Sequence, residues 1–249
     1  MIESGATTDR GRHRTRNEDA FLVMEDEQVF AVADGVGGSS DGRLASRTLV
    51  QTMEDFIRRR EVAKIDDLTE LARAMRQCLR EANENILQLT REQPQYRGMA
   101  TTAVICCIRG HEACIVNIGD SRLYLRRGSS LFQITEDHSY VNALVKSGVI
   151  RPEDAAGHQQ GNIITRAVGA TEDLRADYYS TDLEDGDVLL LCSDGLYREL
   201  KEEVISDCIR RVPRMQDLAA ALVDRANEAG GRDNITAVCI RYRVEGEQQ

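Results

Sequence analysis

The chain has 249 residues, of which 41% are hydrophobic and 30% charged, and a formal charge of -10. That length can bury a full core, while the acidic balance provides no basic field for a nucleic-acid backbone. No apolar run reaches the ~20 residues of a membrane span, and MIESGATTDRGRHR carries charges where a leader needs its apolar stretch, so a cytoplasmic protein off the membrane is expected.

After a polar lead comes TDRGRHRTRNEDAF, in which Arg10, Arg12, Arg14 and Arg16 alternate. In an extended segment they would share one face. Two readings stand: a charged edge strand in solvent, or a guanidinium aimed at an anion near Asp19. Residues 21–25 and 29–33, joined by a short polar link, predict a hairpin. The second run continues as VFAVADGVGG, a buried strand ended by Asp34. The glycines that follow leave the backbone at Gly35 open to close approach.

A polar loop over 39–43 leads into a helix with Ala45, Leu49, Met53 and Phe56 on one face. A second stripe runs from Leu68 through Leu71, Met75, Leu79, Ala82 and Ile86 to Leu89, and Pro94 closes it. Strands are expected over 101–108, 113–118, 123–126 and 131–134, with links short enough to make neighbours antiparallel. Residues 138–149 suggest a short helix, and the polar stretch 151–161 a mobile flap. Further strands are expected over 163–168, 174–179 and 188–192, then helices over 201–212 and 215–229, a last strand over 235–243, and a polar tail over 244–249. Seven cysteines without a C-x-x-C pair read as small buried hydrophobes in a reducing compartment. This order predicts an α+β fold, with two mostly antiparallel sheets covered by helix pairs, in one domain spanning 1–249.

Five strand candidates carry acids at their tips: Glu18 and Asp19, Asp34, Asp120, Asp194, and Asp233 with Asn234 beside it. Gathered at one rim they would repel one another unless cations lay among them. Oxygen ligands without His or Cys at ligand spacing favour Mg2+ or Mn2+. The four histidines are scattered and read as surface or hydrogen-bonded residues, and Asp137 reads as a turn residue. Two such ions about 4 Å apart would make hydroxide available near neutral pH. A phosphate monoester suits that nucleophile, with an arginine on its remaining oxygens. No G-x-S-x-G element competes, so hydrolysis without a covalent intermediate is expected.

The series RTRNEDAF, VADGVGG, MATTAVI, NIGDSRLY, ITEDHS, ITRAVG, LCSDGL and GGRDNITAV resembles the metal-dependent protein phosphatases of the protein phosphatase 2C (PP2C) family, in particular the compact stand-alone bacterial serine/threonine phosphatases. The resemblance implies a four-layer αββα sandwich with two Mn2+ or Mg2+ ions at one end of the sheets. It implies that Asp34 bridges the ions, that the Gly35 carbonyl holds one, and that Asp19, Asp194 and Asp233 hold the other. Glu18 and Asn234 would support these ligands, Arg14 would bind the substrate phosphate, and Asp120 with Asp194 would hold a third, weaker ion. Residues 139–161, including His158, match the family's flap. Val36, Ser39, Arg43 and Ala100 depart from the family pattern, and no side chain is marked out to protonate the leaving oxygen. The expected substrates are phosphorylated proteins, the expected partner a serine/threonine kinase whose action is reversed, and the expected state a monomer. The competing readings are an idle phosphoprotein-binding scaffold and a small-molecule phosphohydrolase.

Overall fold

In the strand β3 (Val29–Val36), Val29, Ala31 and Ala33 enter one apolar cluster, and Phe30 and Val32 enter another. A strand buried on both faces must be sandwiched, and the layers follow from that need. The computed structural model, which describes residues 1–37, 41–155 and 158–244, places two antiparallel sheets face to face. One runs β1 (Ile2–Asp9), β11 (Ile235–Tyr242), β10 (Val188–Cys192), β7 (Arg122–Arg127), β8 (Ser130–Gln133). The other runs β2 (Asp19–Met24), β3, β5 (Ala103–Arg109), β6 (Glu112–Ile118), β9 (Asp177–Asp182), and β4 (Ala100–Thr101) adds to β3.

Three apolar clusters separate the layers. Leu49, Met53 and Phe56 of α1 (Gly42–Arg60) and Met75 and Leu79 of α2 (Leu68–Glu92) pack on Ala31, Ile105 and Val116. Phe30, Val104 and Ile115 meet Leu123, Leu189 and Val238 between the sheets. On the far side Ile205 of α6 (Glu202–Arg211) and Leu218 and Leu222 of α7 (Met215–Ala229) cover Leu190 and Cys239. The result is the expected four-layer αββα sandwich. Among the described residues three further α-helices are short: α3 (Tyr140–Lys146), α4 (Pro152–Ala155) and α5 (Asp194–Tyr197), the last with Leu196 buried beneath α6 and α7. Asp41 and Asp67 cap α1 and α2, each accepting from a first-turn backbone N–H. All seven cysteines are free and buried. No helix among the described residues is long and apolar enough to cross a membrane.

Several expectations need correction. The arginine stretch is not an extended strand: β1 ends at Asp9, and Gly11, at φ 79°, turns the chain into a loop. The polar lead before it is itself a strand, paired with β11 along its whole length. Strands β6 and β7 are not antiparallel neighbours, because the short link between them crosses from one sheet to the other. Residues 163–168 form no strand; they contribute only isolated bridges at Ile164 and Val168, and the following strand begins later, at Asp177. Asp137 is more than a turn residue, since its carboxylate takes a two-pronged ion pair from Arg122. Ser39, part of the 139–161 flap and most of the 244–249 tail lie outside the described residues.

Candidate active site

The rim is assembled by register. In the β2–β3 pair Asp19 stands directly opposite Asp34. Alternation turns both toward the space between the sheets, because Phe21 and Val23 on β2 and Phe30 and Val32 on β3 face that way. The opposite sheet answers at the same level. Ser193 Oγ and Thr236 Oγ1 donate to Asp19 Oδ2 at 2.7 and 2.6 Å, so one carboxylate ties the two sheets together. Asp194 follows as the first residue of α5, and Asp233 stands just before β11.

Gly35 and its surroundings are equally constrained. A Cβ at Gly35 would lie 2.2 Å from the Gly42 carbonyl oxygen and 2.5 Å from that of Glu18. The absence of a side chain lets the first turn of α1 close on the rim, as the open backbone read from the sequence requires. The Glu18 carbonyl accepts from Gly35 N at 3.2 Å and from Ser46 Oγ at 2.6 Å. Asn234 is buried and acts as a clasp. Its Oδ1 accepts from Glu18 N at 2.8 Å, and its Nδ2 donates to the carbonyls of Arg10 and Arg16 at 2.9 and 2.8 Å. These bonds fix both ends of the arginine loop and leave the Arg14 guanidinium half exposed, with Nη2 on Asp233 Oδ2 at 2.7 Å.

The electrostatics record how close the acids are. Burial, opposed by the two hydroxyls, pushes the Asp19 carboxyl up to about 7. Burial and then the charges of Asp19, Asp194, Asp120 and Asp233 hold Asp34 well above the carboxylate range. Asp120 is pushed up to about 7, first by burial and then by Asp194. Asp194 is raised by burial and Asp233 against the pull of Arg198, and Glu18 is raised chiefly by burial. The five aspartates named from the sequence therefore share one locality.

His158 lies at the Asp120 end of that cluster. It borders a cavity of about 620 Å³, shared with Asp120, Asn142, Asn162 and Arg198. His138 is buried, its Nδ1 accepting from Gly119 N and its Nε2 facing Asp177. Burial lowers its pKa, consistent with a hydrogen-bonded structural residue.

Three participants escaped the sequence reading: Ser193, Thr236 and Arg198. Arg198 lies four residues after Asp194 and sets Nε 2.9 Å from Asp194 Oδ2 and Nη2 3.2 Å from Asp120 Oδ2. The i,i+4 spacing of opposite charges was the signal that could have found it.

Asp19 Oδ1 and Asp194 Oδ1 are buried without a hydrogen-bond partner, a costly state for carboxylate oxygens unless a cation faces them. Among the described residues no group of three or more His, Cys, Asp or Glu side chains is already set to hold an ion; Arg14 engages Asp233, and Arg198 engages Asp194. The all-oxygen donor set and the two bare oxygens nevertheless fit hard divalent ions.

Residues 8–237 match the family described as Protein phosphatase 2C. The chain is 36% identical over 251 residues to protein phosphatase PhpP of Streptococcus pneumoniae, an alignment covering 98% of this chain and 99% of the relative. It is 34% identical over 240 residues to serine/threonine phosphatase Stp of Listeria welshimeri, covering 95% and 94%. Among solved structures it is similar to the catalytic domain of serine threonine protein phosphatase PstP in complex with two manganese ions. That match has a TM-score of 0.86 and 30% identity, and covers 98% of this chain and 99% of the other.

Proposed function

Because the chain belongs to the protein phosphatase 2C family, we propose that it is a Mn2+- or Mg2+-dependent protein-serine/threonine phosphatase. It hydrolyses phosphoserine and phosphothreonine in proteins and reverses the action of a serine/threonine kinase. The observation that carries this reading is the pair of bare buried oxygens on Asp19 and Asp194, inside a group of mutually repelling acids. The PstP structure with two manganese ions supports the identity of the metal.

In this reading Asp34, the Gly35 carbonyl, Asp19, Asp194 and Asp233 would hold the two ions, with Asp34 shared between them. When bound, the ions supply Lewis acidity that lowers the pKa of a water between them and so provides a nucleophile near neutral pH. Everything else falls to the chain. Ser193 and Thr236 donate to Asp19 Oδ2, which favours the ionised carboxylate against the effect of burial and leaves its Oδ1 free for a cation. Asn234 holds Glu18 and the arginine loop in register. Arg14 exchanges its bond to Asp233 for the phosphate oxygens, which its planar fork can grip in pairs. That grip orients the phosphoryl group for in-line attack and offsets charge as it develops.

The protein acts as a single domain over 1–249, as a monomer in the cytoplasm, with residues 139–161, His158 among them, forming a flap beside the site. Phosphate release from phosphothreonine peptides should require Mn2+ or Mg2+. Asp34→Asn should reduce it roughly 10³-fold or more while circular dichroism shows a folded protein. A folded Asp34→Asn enzyme working at the wild-type rate would remove this reading.

A further inference from the structure

Asp120 and Asp194 are the pair that the family resemblance assigns to a third, weaker ion, and in this chain their facing oxygens are already engaged. Arg198 places Nε on Asp194 Oδ2 at 2.9 Å and Nη2 on Asp120 Oδ2 at 3.2 Å. The same side chain reaches outward: Nη2 donates to the Gly161 carbonyl at 3.0 Å, and Nη1 to Asn162 Oδ1. Asp120 is held from behind as well, since Tyr197 Oη donates to its backbone carbonyl at 2.9 Å. Both partner carboxylates are largely buried, and Arg198 itself is about two-thirds covered. One guanidinium thus joins two acids of the rim to the end of the flap.

We propose that Arg198 is a built-in cation that takes the place of a third metal ion between Asp120 and Asp194, and that it fastens the flap at Gly161 and Asn162 to the metal centre. A guanidinium is permanently charged and carries donors in a fixed plane, so one group can neutralise two acids while also gripping a carbonyl and an amide. A hard divalent ion on the same two oxygens would have to displace a charge already at hydrogen-bond range. The engagement of Asp194 is one-sided: its Oδ2 faces Arg198, while its Oδ1 stays bare and available to the two-ion centre. Arg198 is accordingly a positioning residue. It acts on the reaction by fixing Asp194 and by setting how the flap wall of the 620 Å³ cavity stands against the site.

The inference rests on the two-ion reading, and native mass spectrometry of the full chain titrated with Mn2+ separates the two. Wild type is expected to saturate at two ions and Arg198→Ala at three. Wild type reaching three, or the variant stopping at two, would overturn the inference and leave the two-ion reading intact. A wild type that binds none sinks the two-ion reading instead. The fastening is tested without metal, by hydrogen exchange at residues 158–163. Arg198→Ala should exchange there roughly tenfold faster, and unchanged exchange would overturn the clamp. Should that variant fail to fold, Asp120→Asn provides the same decision. It is expected to keep two ions while the flap loosens; loss of an ion from a three-ion wild type, or a flap that stays closed, refutes the inference.

Discussion

The two walls of the site are built by different means. On the strand side each group is fixed by something that cannot easily move: the Asp19 carboxylate by ladder register and two buried hydroxyls, and the Gly35 backbone by carbonyls that a Cβ would meet at 2.2 and 2.5 Å. On the flap side the bonds are made by exposed side chains, such as Arg151 on Asp154 and Lys146 on Glu136. There Arg198 joins the rim to Gly161. On the proposed function, the contrast teaches that the chemistry is placed by the core, whereas access to it is set by a few polar contacts that solvent can contest.

The sharpest way to break that contrast is to disturb the strand side at Gly35. Gly35→Ala drives a methyl group into the Gly42 and Glu18 carbonyls and should cost about 3–5 kcal/mol. Thermal melts should show it, together with lost metal affinity. Next comes pH. Because burial raises the Asp19 carboxyl to about 7, the folded metal-free protein binds that proton more tightly than the unfolded chain does. The Asp19 contribution to stability is then fully present below about pH 4 and is lost as pH rises through about 7, by roughly 2–4 kcal/mol. Saturating Mn2+ should abolish that decline. Urea titrations at pH 5 and pH 8, with and without metal, check both parts. The smallest effects come from a matched pair. Thr236→Val removes one donor to Asp19 Oδ2 and should cost about 1–2 kcal/mol, with 10- to 100-fold weaker metal binding. Arg151→Ala, on the exposed flap, should leave the melting midpoint where it was. Equal effects from the two variants would erase the distinction between the walls.

What could be read in advance follows the same division. Continuous apolar runs announced β3, β10 and β11, and an acid at the end of such a run is conspicuous, so the five aspartates were legible. So were α1, α2 and α7, whose stripes repeat at helical spacing. The strand β1 was hidden because IESGATTD carries small and polar residues and is defined by its partner β11. The arginine loop looked extended because alternation is visible locally, whereas its cause, the capture of two carbonyls by Asn234 over two hundred residues away, is not. The short link after β6 resembled a hairpin, yet Gly119 at φ 106° carries the chain across to the other sheet. Ser193 and Thr236 look like ordinary strand residues until the second sheet brings Asp19 to them.

The long pairing of β1 with β11 also decides what can be attached to the protein. Ile2 lies beside Tyr242 and Asp9 beside Ile235, and the Met1 amino group bonds the Arg243 carbonyl at 2.6 Å. Met1 and Arg243 therefore lie at the pole opposite Asp233, about 25 Å away along eight residues of strand. A fluorophore or surface tether joined at Met1 would hang clear of the rim and leave that face turned to the solution.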